Sequence, residues 1–256
     1  EDSTQKNTYD NAIDNGSTYI TGQHNSELNK STIDQTISQI NTAKNDLHGA
    51  EKLQRDKGTA NQEIGQLGYL NDPQKSAEES LVNGSNTRSE VEEHLNEAKS
   101  LNNAMKQLRD KVAEKTNVKQ SSDYINDSTE HQRGYDQALQ EAENIINEIG
   151  NPTLNKSEIE QKLQQLTDAQ NALQGSHLLE EAKNNAITEI NKLTALNDAQ
   201  RQKAIENVQA QQTIPAVNQQ LTLDREINTA MQALRDKVGQ QNNVHQQSNY
   251  FNEDEQ

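Results

Sequence analysis

The chain has no cysteine and no tryptophan, and it holds only one phenylalanine, six tyrosines, three prolines and eleven glycines in 256 residues. The missing cysteines exclude a disulfide framework, a thiolate zinc site and a cysteine nucleophile. Scarce aromatic and β-branched runs argue against a sheet protein. No run of 18 apolar residues is present, so no helix of the sequence reads as a membrane span, and no signal-peptide pattern opens it. Positive charge is also short: 24 Lys and Arg against 40 Asp and Glu leave a formal charge of -16. Both halves are acidic, so no basic patch is available to neutralise phosphates. Nucleic acid is excluded as a natural partner, and an anionic membrane surface would repel the chain.

Leu, Ile, Val and Phe supply 46 of the 256 residues. That fraction, with the net charge, borders on disorder. Their spacing decides the matter. Apolar positions recur at three and four residues over long stretches, which a random polar tract would not sustain. We therefore expect an all-α protein with thin cores.

The strongest feature is a duplication. Residues 101–126 return 126 positions later as residues 227–252, with 14 of 26 positions identical, including Ala104/Ala230, Met105/Met231, the LRDKV block and Tyr124/Tyr250. A long-period repeat is an architectural signature. Each copy reads as five helices.

The first helix carries Tyr135, Leu139, Ala142, Ile145/Ile146 and Ile149 in copy two, stopping at Gly150. Its counterpart carries Tyr9, Ile13 and Ile20, where Gly16 predicts fraying. Ser31 and Ser157 are candidate caps of the second helix, and Gly49 and Gly175 candidate terminators. The third helix holds Leu53, Ala60 and Ile64, or Leu179, Ala186 and Ile190. Asp72 and Asp198 are candidate caps of the fourth, with Pro73 in its first turn. Thr87 and Thr213 open the fifth, Glu90 completing a capping box in copy one. If the fifth helix persists to Thr116, it spans about 45 Å and joins neighbouring three-helix bundles end to end into a rod.

Candidate chemistry is sparse. Glu90 and His94 share a helix face as two potential metal ligands but lack a third, and their repeats are Ala216 and Gln220. Ser176 and His177 lack a positioned acid. No catalytic, cofactor or metal constellation is found. Arg109, Lys111, Arg235 and Lys237 are either a repeated docking patch or exposed charges beside a core seam. Tyr124 and Tyr250 are either partner anchors or junction packing, and we expect the polar junction after Val118 to dock.

The segments YDQALQEAENII, NPTLNKSEIEQ, ALQG and LN-x-AM-x-x-LRDKV resemble the 126-residue tandem repeats of the giant staphylococcal extracellular-matrix-binding surface proteins. The resemblance covers essentially the whole chain. It implies FIVAR-like segments alternating with GA-like three-helix modules, and we divide the chain as 1–49 and 113–175 FIVAR-like, 50–112 and 176–238 GA-like, and 239–256 a junction stub. It further implies a non-enzymatic protein at the bacterial cell surface or wall, monomeric, contacting neighbouring repeats and a host matrix protein such as fibronectin. A structural stalk with no ligand is the alternative. Albumin binding is not carried over, because no apolar patch of that kind is seen in residues 73–100.

Overall fold

The computed structural model describes residues 3–22, 29–244 and 247, and all regular structure among them is helical. In order the helices are α1 (Ser3–Ile20), α2 (Lys30–Asn45), α3 (Gly49–Gly65), α4 (Asp72–Gly84), α5 (Arg88–Ala113), α6 (Lys115–Gln120), α7 (Ser122–Ile125), α8 (Thr129–Asn147), α9 (Lys156–Asn171), α10 (Gly175–Asn191), α11 (Asp198–Gln209) and α12 (Ile214–Val244). The 126-residue period is visible in the elements: α8 to α12 repeat α1 to α5. The chain divides into two compact units, Glu1–Lys106 with Ile145–Glu158, and Gln107–Asn144 with Ile159–Gln256.

In the first unit, α3, α4 and α5 close a three-helix core of Ala60, Ile64, Val82, Val91 and Ala98, flanked by Leu53, Leu67 and Leu95. The second unit repeats it with Leu179, Ala186, Ile190, Ala204, Val208 and Val217 from α10 to α12. These are the periodic positions of the sequence, and truncating a fully buried one such as Ile64 to alanine would cost about 2–5 kcal/mol. Ahead of the second core, Leu108, Val118, Tyr135, Leu139, Ile159 and Leu166 are also buried. Lys115 bonds Glu143 at 2.8 Å and Lys162 bonds Glu141 at 2.8 Å, so α6 and α9 both lie against α8.

Several local expectations are corrected. The caps of α2 and α9 are Asn29 and Asn155, which accept from the amides of Ser31 and Ser157, so the serines are already helical. Likewise Asn71 and Asn197, rather than the following aspartates, cap α4 and α11; each forms a reciprocal box with Gln74 or Gln200. In each case asparagine just upstream reaches the orphan amide with better geometry. Gly49 and Gly175 do not terminate helices but start α3 and α10. Helix α8 ends at Asn147, leaving Ile149 81% exposed.

Helix α1 runs unbroken through Gly16 where fraying was expected. The physical reason is contact: a Cβ there would lie 2.9 Å from Ile40 Cδ1, so the glycine admits α2 at close range. Helix α5 ends at Ala113, near the Thr116 expected. Thr87 and Glu90 do form the reciprocal capping box, and Thr213 accepts from Ala216 in the second copy.

Candidate interaction surface

Arg109 is half-buried on α5, where burial pulls its guanidinium below the ordinary value. Lys111 is paired with Glu114 at 2.9 Å. In the second copy Arg235 donates to the Ala195 carbonyl at 3.1 Å, and Lys237 is exposed. Tyr250 lies outside the described residues. Identical sequence thus meets different surroundings.

Tyr124 is held internally. Its hydroxyl donates to Asp136 Oδ2 at 2.9 Å, its ring stands edge-on to Tyr135 with centroids 5.9 Å apart, and Lys119 lies over it at 5.8 Å. Burial raises the hydroxyl above its ordinary value, and the Asp136 bond adds to that. Tyr135 is pushed up to about 12, chiefly by burial. The docked junction expected after Val118 is therefore found.

That junction contains a lock the sequence reading missed. Between Ser121 and Asp127 the chain makes the short helix α7, and α10 begins with no side-chain cap of its own. The turn supplies one from 50 residues away: Asp123 accepts from Ser176 N at 3.1 Å, and Asp127 accepts from Gln174 N. Burial alone would raise the Asp127 carboxyl, but bonds from Gln174, Ser128 and His131 bring it below its usual value. Asn126, 5% exposed, donates to the Gln212 carbonyl at 3.1 Å and accepts from Ile214 N at 2.9 Å, tying the turn to the start of α12.

Gly175 makes this approach feasible, since a Cβ there would sit 2.4 Å from the carbonyl oxygens of both Ser122 and Asp123. The repeated Asn126 and Gly175 were visible in the sequence. Their partners, 50 to 90 residues away, were not.

Each three-helix core also contains one buried carboxyl. Glu78 on α4 is 3% exposed, and its Oε2 has no hydrogen-bond partner; its repeat is Ala204. Asp224 on α12 is 2% exposed, and its Oδ2 is unpartnered; its repeat is Ala98. The acid has changed helices between copies, with alanine opposite each time. Burial and then Glu97 push Glu78 up to about 7 against the opposing effect of His94. Burial likewise raises Asp224.

Of the weaker chemical candidates, Glu90 is occupied by the Asn86 and Thr87 amides, and His94 pairs with Glu97. His177 faces Glu181 at 3.2 Å on the surface. Among the described residues no group of three or more His, Asp or Glu is arranged to hold a metal, and no helix is long and apolar enough to cross a membrane.

Comparison with known proteins accounts for this alternation of modules. The FIVAR domain matches residues 1–48, 104–174 and 230–256, more than half of the chain, and the GA module matches 50–104 and 176–230. The chain belongs to the FIVAR domain family. Its FIVAR segments alternate with GA modules along the chain. The extracellular matrix-binding protein ebh of Staphylococcus aureus strain NCTC 8325 / PS 47 is 38% identical over 99% of this chain, and that of strain MRSA252 is 36% identical over 99%. The chain spans only 2–3% of the length of these relatives. Among solved structures, the 756–1003 domain of Staphylococcus aureus EbhA superposes with a TM-score of 0.79 at 25% identity, covering 88% of this chain and 89% of that one.

Proposed function

We propose that this FIVAR–GA chain is a non-enzymatic segment of a bacterial cell-surface, wall-associated adhesin that binds a host extracellular-matrix protein, with fibronectin the first candidate. The observation carrying this reading is that the chain, whose FIVAR segments alternate with GA modules, is 36–38% identical over 99% of its length to relatives named extracellular matrix-binding proteins. Each repeat contributes a weak contact, and tandem copies multiply it through effective concentration. Within this reading the modules are divided at residues 49, 112, 175 and 238. Of the candidate contacts, Arg235 and Lys237 stand on an exposed face, whereas Tyr124 spends its polar atom on Asp136.

A second reading is a spacer without a ligand. It is favoured by the fate of the repeated residues: Asn71/Asn197 cap the same helix in both copies, and Asn102/Asn228 hold the equivalent amides of Tyr69 and Ala195. Repetition preserves architecture there and no common surface patch. Surface plasmon resonance of the 256-residue chain on immobilised fibronectin separates the two. Saturable binding that exceeds a variant with shuffled surface residues supports the adhesin; binding equal to that control leaves the spacer.

A further inference from the structure

Asparagine and glutamine carry a donor beside their acceptor, as aspartate and glutamate do not, and at the start of α4 two amide side chains use both. The oxygens build the capping box: Asn71 Oδ1 accepts from Gln74 N at 2.8 Å, and Gln74 Oε1 accepts from Asn71 N at 3.0 Å. The nitrogens reach outside the helix. Asn71 Nδ2 donates to the carbonyls of Glu148 at 3.2 Å and Ile146 at 3.5 Å, and Gln74 Nε2 donates to the Thr153 carbonyl at 2.8 Å. Ile146 lies in the last turn of α8, where carbonyls lose their intrahelical partners, and Glu148 follows that helix. One asparagine thus caps the start of one helix and the end of another, bringing the positive end of α4 to the negative end of α8. All these residues lie in the first compact unit, yet α4 belongs to a GA module and the connection after α8 to a FIVAR domain.

We infer that Asn71 and Gln74 form a recognition site for the carbonyls at the end of a FIVAR helix, and that their amide nitrogens, separately from the cap, fasten residues 146–153 to the GA module. Capping alone does not call for amides, since aspartate ranks with asparagine as a helix cap and glutamate with glutamine as its box partner. Both copies nevertheless carry the amide pair, Asn71 with Gln74 and Asn197 with Gln200. Apolar burial adds little at this contact, because Ile149 is 81% exposed. Gln74 is 0% exposed, so its Nε2 has left water and would be orphaned without the Thr153 carbonyl. A carboxylate at position 71 would keep the cap but set negative charge against the carbonyl end of α8.

The two roles separate in the 256-residue chain carrying Asn71→Asp with Gln74→Glu, which keeps each acceptor and removes each donor. Helix α4 should persist, read from circular dichroism and the amide shifts of residues 72–84, while the carbonyl carbon shifts of Ile146, Glu148 and Thr153 move toward values without a hydrogen bond. Cleavage after Glu148 by a glutamate-specific protease should rise about tenfold. A second variant, Asn71→Ser alone, caps through a hydroxyl without added charge; it should shift the Ile146 and Glu148 carbonyls and leave that of Thr153 in place. Carbonyl shifts and cleavage unchanged in the double variant would overturn the assignment. So would loss of α4 in both variants, because cap and fastening would then not be separate roles of the same side chains.

Discussion

Substituting Glu78 with glutamine is expected to change the pH dependence of the first three-helix core in a defined way. The carboxyl is 3% exposed, with one unpartnered oxygen, and burial raises it from 4.5 to about 7 in the folded chain. A raised acid favours the protonated folded state, so its penalty is absent below the unfolded value of 4.5. The penalty accumulates as pH rises to about 7 and is constant above that. A shift of this size corresponds to about 3 kcal/mol. Discounted for solvent screening, the penalty is about 2 kcal/mol.

The assay is urea unfolding read through the methyl resonances of Ile64 and Val82, which report that core alone, near pH 5 and near pH 8. The difference in stability between Glu78→Gln and the unmodified chain should grow by about 2 kcal/mol from the lower pH to the higher, in favour of glutamine. A difference independent of pH would refute the reasoning, because it would mean that Glu78 is ionised in the folded core at no cost.

Other predictions follow from the junction and the glycines. Asp127→Ala should destabilise the α10–α12 module by about 1 kcal/mol near neutral pH in thermal unfolding, through loss of the remote cap on α10. Because the Asp127 carboxyl is held low, that difference should be full above the ordinary carboxylate value and be lost as pH falls through the depressed folded value. Gly175→Ala should cost about 1–3 kcal/mol, since its Cβ would meet backbone atoms of Ser122 and Asp123 that cannot swing aside. Gly58→Ala and Gly134→Ala, at helical positions where a Cβ meets nothing, should each gain about 1 kcal/mol in the same measurement. Tyr124→Phe should cost about 1 kcal/mol by removing one half-buried hydrogen bond to Asp136.

What could be read from the sequence was what repeats at short range. Ile64, Val82, Ile190 and Val208 announce their burial through helical spacing, and Thr87 and Glu90 announce their box through a three-residue interval. Caps were placed one or two residues late because asparagine, serine and aspartate stand side by side at Asn29–Ser31 and Asn71–Asp72, and backbone direction decides among them. The lock at Asn126, Asp127 and Gly175 was illegible for a different reason: each partner lies in another element, and no local pattern records which amide an aspartate will reach. The buried Glu78 and Asp224 carry no local sign of their burial for the same reason. Only the reciprocal alanines, Ala204 and Ala98, carried a hint.

If the Ser121–Asp127 turn welds the FIVAR domain matched at 104–174 to the GA module matched at 176–230, those two modules should open together. Native-state hydrogen exchange measures this directly. The slowest amides of α8 and α9 are expected to share one opening free energy with those of α10 and α11, and Asn126→Ala with Asp127→Ala should separate them. Two distinct opening free energies in the unmodified chain, left unchanged by that double substitution, would contradict the account.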